Sequence, residues 1–245
     1  MSEQTPASPT GWHTRRMVAF DTETTGTDQE AARLVSAAVI ELGGGQPVVH
    51  RTWLVDPGVE IPAEATAIHG ITTERVRAEG RVAAEAVEEI TEALAALLVA
   101  GVPVVSYNAV YDLTVLDREA RRHGVTPLAD RCADGICPVI DPLVIDRAID
   151  RYRKGSRTLA AVCEHYQVRQ EDAHDASGDA LAAARLAWKL AHRDPELAAV
   201  EPRELHERQV GWHRAWAEDF ERFLRRRDPA AAIDGTWPHR PPANG

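Results

Sequence analysis

Apolar residues along the chain recur in two rhythms. Met17 to Thr22 (MVAFDT) is a short apolar run that ends in acid, and two further runs follow, Leu34–Leu42 (LVSAAVIEL) and Gln46–Val55 (QPVVHRTWLV). Only Gly43-Gly44-Gly45 separates the second from the third. Three runs joined this closely predict an antiparallel meander. The next stretch, DPGVEIPAEATAIHGITTERV, is too interrupted by Pro and Gly for a long element. Val82, Ala86, Ile90, Leu94 and Leu97 then recur at helical steps until Gly101, which predicts one helix. VPVVSY (Val102–Tyr107) reads as a short buried strand, and Asn108 can N-cap a helix that runs to about His123 and closes at Gly124. PVIDPLVI predicts a strand running into a helix, RTLAAVCEHYQV a further helix, and Gly178–Arg193 a long one. Three strands, then alternating helix and strand, then helices predict a mixed sheet with helices packed on it, an α/β domain.

Beyond about Glu201 the pattern changes. Pro202 suits a first helical turn, and Leu205, Trp212, Trp216, Phe220 and Phe223 form an apolar stripe at helical steps up to Arg225-Arg226-Arg227. An amphipathic helix of this kind docks on its own domain, with a protein partner as the alternative. The expected organisation is a flexible N-terminus (1–12), a main domain (13–195), a C-terminal helical extension (196–227) and a Pro-rich tail (228–245).

Composition narrows the function classes. The 245 residues suffice for one core without staples, and a net charge of −10 argues against a protein that coats nucleic acid electrostatically. Cys132, Cys137 and Cys163 form no CxxC pair, so free thiols in a reducing cytoplasm are expected. No apolar run is long enough to span a bilayer, and no membrane association is expected.

The chemistry lies in the acids. Asp21 and Glu23 stand two apart on a strand, so both leave one face while Thr22 points to the other. Asp112 lies one turn into the helix that follows the next strand, near the carboxyl edge where α/β sheets gather their sites. In HDASGDALAAARL, His174 precedes the late helix, and Asp179 shares a face with Ala182, Ala183 and Leu186, the face that should meet the sheet. Taken singly, Asp21 and Glu23 read as a solvated strand end and Asp112 as a helix-terminus charge, whereas Asp179, aimed inward among alanines, does not read as a solvated surface charge. Together, four carboxylates offset two divalent cations, and such a pair can clamp the attacking and leaving oxygens of a phosphoryl displacement. An imidazole nearby is suited to accept the proton of the attacking water.

FDTETTG, NAVYD and HDASGD, in this order, resemble the three motifs of the DEDDh group of 3′–5′ exonucleases, the superfamily of the DNA polymerase III epsilon subunit. The resemblance runs from about Met17 to His192. It implies a ribonuclease H-like α/β/α sandwich with a mixed five-stranded sheet whose first three strands are antiparallel, and the meander agrees with that. It implies that Asp21, Glu23, Asp112 and Asp179 hold two Mg²⁺ or Mn²⁺ ions and that His174 is the general base. PAEATAIHGIT resembles the loop in which a Glu and a His contact the terminal nucleotide, here Glu64 and His69; Thr24 and Asn108 complete the implied substrate-binding set. The implied substrate is a nucleic acid 3′ end, single-stranded DNA ahead of RNA. An RNA-trimming enzyme is the nearest alternative, and a non-catalytic polymerase-docking module the alternative of another class. The basic run Arg151, Arg153, Lys154 and Arg157 fits strand phosphates and a solvated helix end equally well.

Overall fold

A computed structural model describes residues 11–170 and 175–242. Strand β1 (Met17–Thr24) sends Val18 and Phe20 to one side and Met17 and Ala19 to the other, all of them buried. A strand apolar on both faces belongs in the middle of a sheet covered on both sides, and β1 lies there. It pairs antiparallel with β2 (Leu34–Leu42), which pairs antiparallel with β3 (Val49–Asp56). The β2–β3 turn uses positive φ at Gly43, Gly44 and Gly45 (85°, 63° and 71°), a conformation that glycine adopts without strain.

After β3 the interrupted stretch folds as two seven-residue helices, α1 (Ala63–His69) and α2 (Thr73–Glu79). Gly70 ends the first in a left-handed conformation, and the Thr72 hydroxyl caps the second by accepting from Arg75 N–H. The two-residue β4 (Arg81–Val82) then joins β3 in parallel and leads into α3 (Ala83–Val99). Strand β5 (Val104–Val105) lies parallel to β1, and α4 (Ala109–His123) and α5 (Leu128–Arg131) return the chain to β6 (Val139–Ile140), parallel to β5. Among the described residues the sheet therefore has six strands, in the order β4-β3-β2-β1-β5-β6, where five were expected. The addition is β4, too short to carry a period of its own. The remaining helices are α6 (Pro142–Ile149), α7 (Leu159–Tyr166), α8 (Ala176–Arg193), α9 (Pro195–Ala199) and α10 (Pro202–Leu224).

The parity of β1 divides the molecule into layers. Val18 and Phe20 pack with Ile90 and Leu94 of α3 and Leu113 and Leu116 of α4. Met17 and Ala19 pack with Ala180, Ala183, Leu186 and Ala187 of α8, whose alanines let the helix lie close to the sheet. The result is an α/β/α sandwich in which odd residues of β1 face α8 and even residues face α4.

Helix α10 docks through polar side chains. His206 Nδ1 accepts from Val139 N–H at 3.1 Å, Gln209 Oε1 accepts from Asp141 N–H at 2.7 Å, and Gln209 Nε2 donates to the Val139 carbonyl at 3.0 Å. These bonds replace the ladder of a further strand and close the β6 edge. The aromatic stripe divides accordingly: Leu205 is buried, whereas Phe220 and Phe223 are exposed.

The stretch read as a Pro-rich tail is packed. Trp237 lies in the core shared by α3 and α4, with Nε1 3.4 Å from Asp141 Oδ2. Arg240 N–H donates to Thr114 Oγ1 at 2.9 Å, and Arg118 donates to the carbonyls of Arg240 and Pro241. At the other end Trp12, assigned to the flexible N-terminus, is buried and donates from Nε1 to the Leu197 carbonyl at 3.0 Å. An indole that buries its ring and satisfies its N–H anchors a segment that lacks regular structure.

Candidate active site

Asp21 and Glu23, odd residues of β1, point toward α8, whose first turn carries Asp179. One carboxylate oxygen from each of the three lies within 4.8 Å of the others. The β1–β2 register shifts between Glu23 and Thr24, so that Glu23 faces Ser36 and Thr24 faces Leu34, with Val35 between them. A bulge at this position re-aims the end of the strand, where the acids sit.

Asp112 approaches from the opposite layer. Its Oδ1 accepts from the backbone N–H of Thr22 at 3.0 Å and from the Thr22 hydroxyl at 2.6 Å, and its Oδ2 accepts from Ser106 Oγ at 3.2 Å. Thr22 is thus buried as its parity predicts, but its hydroxyl tethers Asp112 instead of filling an apolar contact. The expected four-acid set is a group of three on the α8 side with Asp112 fixed across the strand end.

Burial pushes Asp21 well above the usual carboxylate range, and Asp112, Glu23 and Asp179 push in the same direction. Glu23 is raised to about 8, first by burial and then by Asp179 and Asp112. Asp112 is raised to about 7 by burial, against the pull of its Thr22 and Ser106 donors. Several carboxyls that hold their protons this tightly are an arrangement completed by cations. The donors are all carboxylate oxygens, the ligands that hard divalent ions take, so the set fits the implied metal.

Two clefts flank the acids. In one, His69 at the end of α1 lies beside Arg75, Asp175 and Ser177 in a cavity of about 220 Å³. Its Nδ1 accepts from Ile71 N–H at 3.1 Å, while Nε2 is buried against the Thr24 backbone without an aligned partner, and burial lowers its pKa. Thr24 and His69 therefore come together. Glu64 is exposed near the start of α1. In the other cleft, of about 590 Å³, Asn108 is grouped with Asp28, Tyr111 and Arg240. Tyr111 Oη contacts Thr24 Oγ1 and the Gly26 carbonyl, which ties α4 to the turn after β1.

Asn108 does not cap α4 as expected. It is left-handed (φ 62°), its side chain makes no capping bond, and its backbone N–H donates to Asp141 Oδ1 at 3.0 Å. Asp141 serves instead: it also accepts from Ala109 N–H at 2.9 Å and Leu143 N–H at 2.9 Å, and so starts both α4 and α6. Asp175 caps α8 through Ser177 and Gly178 N–H and adds negative potential at Asp21 and Glu23. Sequence reading missed both residues. The available signals were the Asp-Pro pair at 141–142 and an Asp two and three residues before Ser177 and Gly178. Gln170 Nε2, also unforeseen, donates to Asp179 Oδ1 at 2.7 Å. His174 lies outside the described residues. Of the basic run, Arg153 and Arg157 pair with the buried Asp146 and Arg151 pairs with Asp219, so most of that charge is spent within the fold.

The α/β/α sandwich with three leading antiparallel strands is a ribonuclease H-like fold, and the acidic cluster lies at its strand ends. The chain belongs to the exonuclease family RNase_T, whose model matches residues 18–187. It is 26% identical over 173 residues to the PolC-type DNA polymerase III of Lacticaseibacillus paracasei, covering 71% of this chain and 11% of that protein. It is 30% identical over 178 residues to a DNA polymerase III subunit epsilon-like protein of Rhodobacter capsulatus, covering 71% and 23%. The chain thus spans under a quarter of either relative. Among solved structures, E. coli Exonuclease I in complex with a dT13 oligonucleotide has the same fold (TM-score 0.63, 24% identity, 74% of this chain and 42% of that one). So does an ExoI/SSB-Ct complex (TM-score 0.61, 22% identity, 81% and 44%). The three cysteines are buried free thiols, and no described helix is long and apolar enough to cross a membrane.

Proposed function

We propose that the chain removes nucleoside monophosphates from the 3′ end of single-stranded DNA by two-metal-ion hydrolysis. The convergence of Asp21, Glu23 and Asp179 within 4.8 Å, with Asp112 tethered across the strand end, carries this reading. These four acids hold the ions, Mg²⁺ or Mn²⁺; when bound, the ions stabilise charge on the attacking and leaving oxygens. Water attacks the terminal phosphorus, His174 accepts the proton of the water, and the bond from phosphorus to the 3′ oxygen of the preceding nucleotide breaks, that oxygen taking a proton from solvent to become the new 3′ hydroxyl. Thr24, Glu64, His69 and Asn108 seat the terminal nucleotide, His69 and Asn108 from the two clefts. The dT13 bound to the Exonuclease I structure supports a single-stranded DNA substrate. Residues 13–195 form the catalytic unit, and a cytoplasmic setting suits its free thiols.

The test is purified protein with 5′-labelled single-stranded DNA and RNA in Mg²⁺, Mn²⁺ or EDTA. A ladder from the 3′ end that disappears with EDTA and with Asp21→Ala is expected, with DNA degraded faster than RNA. Cleavage that survives Asp179→Ala, or no cleavage of any substrate, overturns the reading. His174→Ala should lower turnover by at least about 100-fold while leaving metal binding intact.

A further inference from the structure

A groove of about 510 Å³ runs between α6 and α10, with Arg147, Arg151 and Tyr152 on one wall and Trp216, Phe220 and Phe223 on the other. The three α10 rings lie nearly parallel: Trp216 and Phe220 have centroids 5.5 Å apart at 15°, and Phe220 and Phe223 6.4 Å apart at 12°. Tyr152 is 86% exposed and Phe223 52%, far more than large aromatic side chains usually show. The Arg147 guanidinium lies 3.6 Å over the Trp216 ring, and Asp141 and Asp146 act on it only at a distance. Among the described residues it has no carboxylate partner. A guanidinium held half-buried without a counter-ion is matched by an anion from outside.

One hydrogen bond links the groove to the strand end that precedes Asn108. Arg157 lines the groove, and the Arg157 carbonyl accepts from the Tyr107 hydroxyl at 2.6 Å. Tyr107 immediately precedes Asn108, at the carboxyl end of β5. Flat rings in series with an unpaired arginine at their side suit a ligand that alternates flat bases and phosphates.

We propose that the α6–α10 groove is a second contact site for single-stranded nucleic acid, holding the strand on the 5′ side of the nucleotide being removed. This rests on the exonuclease reading. Bases stack on the exposed Tyr152 and Phe223 rings, and phosphate meets Arg147, which makes the contact tolerant of sequence. An acidic protein thereby gains a local hold on a polyanion that its net charge of −10 would otherwise repel.

The experiment measures binding of 5′-fluorescein dT20 to the full chain in EDTA by anisotropy, alongside metal-supported cleavage of the dinucleotide pdTpdT, which carries no strand on the 5′ side of the scissile pair. The double substitution Tyr152→Ala/Phe223→Ala removes exposed rings only, and Arg147→Gln removes the unpaired charge. Each should weaken dT20 binding by about tenfold, and Arg147→Gln should also flatten its salt dependence. Cleavage of pdTpdT should stay within about twofold of the native rate, since no groove residue touches the acids. Native-like dT20 affinity in both variants overturns the groove, as does sedimentation showing that a second copy covers this face. If the native chain cleaves no substrate but the variants still lose dT20 binding, the exonuclease reading fails and the groove stands.

Discussion

Without metal, the acid cluster works against folding as pH rises. Glu23 is raised to about 8 and Asp112 to about 7, whereas both titrate near 4 in an unfolded chain. Between those limits these two carboxyls hold more protons in the folded state than in the unfolded one, so their contribution to stability falls with increasing pH. Buried His206 and His213, lowered to about 4, add stability as pH rises toward 6.5. In EDTA the Tm should therefore drop from about pH 7 to pH 8, above their range, and Glu23→Gln should flatten that slope. Mg²⁺ or Mn²⁺ should raise the Tm more at pH 8 than at pH 6, because ions replace protons among the carboxylates. An EDTA melting profile that rises over this range would show that the acids do not share one field. Thr22→Val tests the tether: it keeps the shape of Thr22 but leaves Asp112 Oδ1 with the backbone donor alone. A 10- to 100-fold loss in metal affinity, of the order seen for partners of metal ligands, is expected by isothermal titration. Strand parity made Asp21 and Glu23 legible in the sequence, because a spacing of two means one face. Asp141 and Asp175 were not legible, because a capping aspartate looks the same whether it starts a surface helix or holds a site.

At the scale of elements, long helices and β2 are read correctly because their apolar period runs for many residues. The errors fall where an element is shorter than its own period. Two-residue β4 and seven-residue α1 and α2 owe their form to Thr72, Gly70 and the β3 edge more than to any pattern. Helix α10 misleads in the opposite sense, since its stripe is genuine but its docking face is His206 and Gln209. Gln209 satisfies both an N–H and a carbonyl of the β6 edge, and Gln209→Leu leaves both groups buried and unpaired. At about 1–3 kcal/mol for each unsatisfied group, a loss of about 2–6 kcal/mol is expected in urea denaturation. A loss below about 0.5 kcal/mol would show that water reaches this edge and that α10 is dispensable to the sheet.

The whole molecule is tied together where composition suggested it would come apart. A segment rich in proline has no period to read, and its Trp237 announces no partner in sequence. In the fold Trp237 fills the α3–α4 core and points its N–H at Asp141 Oδ2, and Asp141 holds the first N–H groups of α4, the helix that carries Asp112. The path from tail to acids is therefore a single buried carboxylate. A chain ending at Arg227 should lose about 3–5 kcal/mol from the emptied indole site alone, about 10 °C in Tm. Its turnover should fall at a temperature where it is still fully folded, because Asp141 loses a donor and the first turn of α4 loses its support. Its affinity for dT20 should change little, since no residue after Phe223 lines the α6–α10 groove. Calorimetry, laddering on 5′-labelled DNA and anisotropy separate the three effects. If turnover per folded molecule is unchanged while the Tm falls, the tail is a stabilising strap that leaves the acids where they were. If turnover falls with it, the segment beyond the 18–187 family match is part of the machinery that places Asp112.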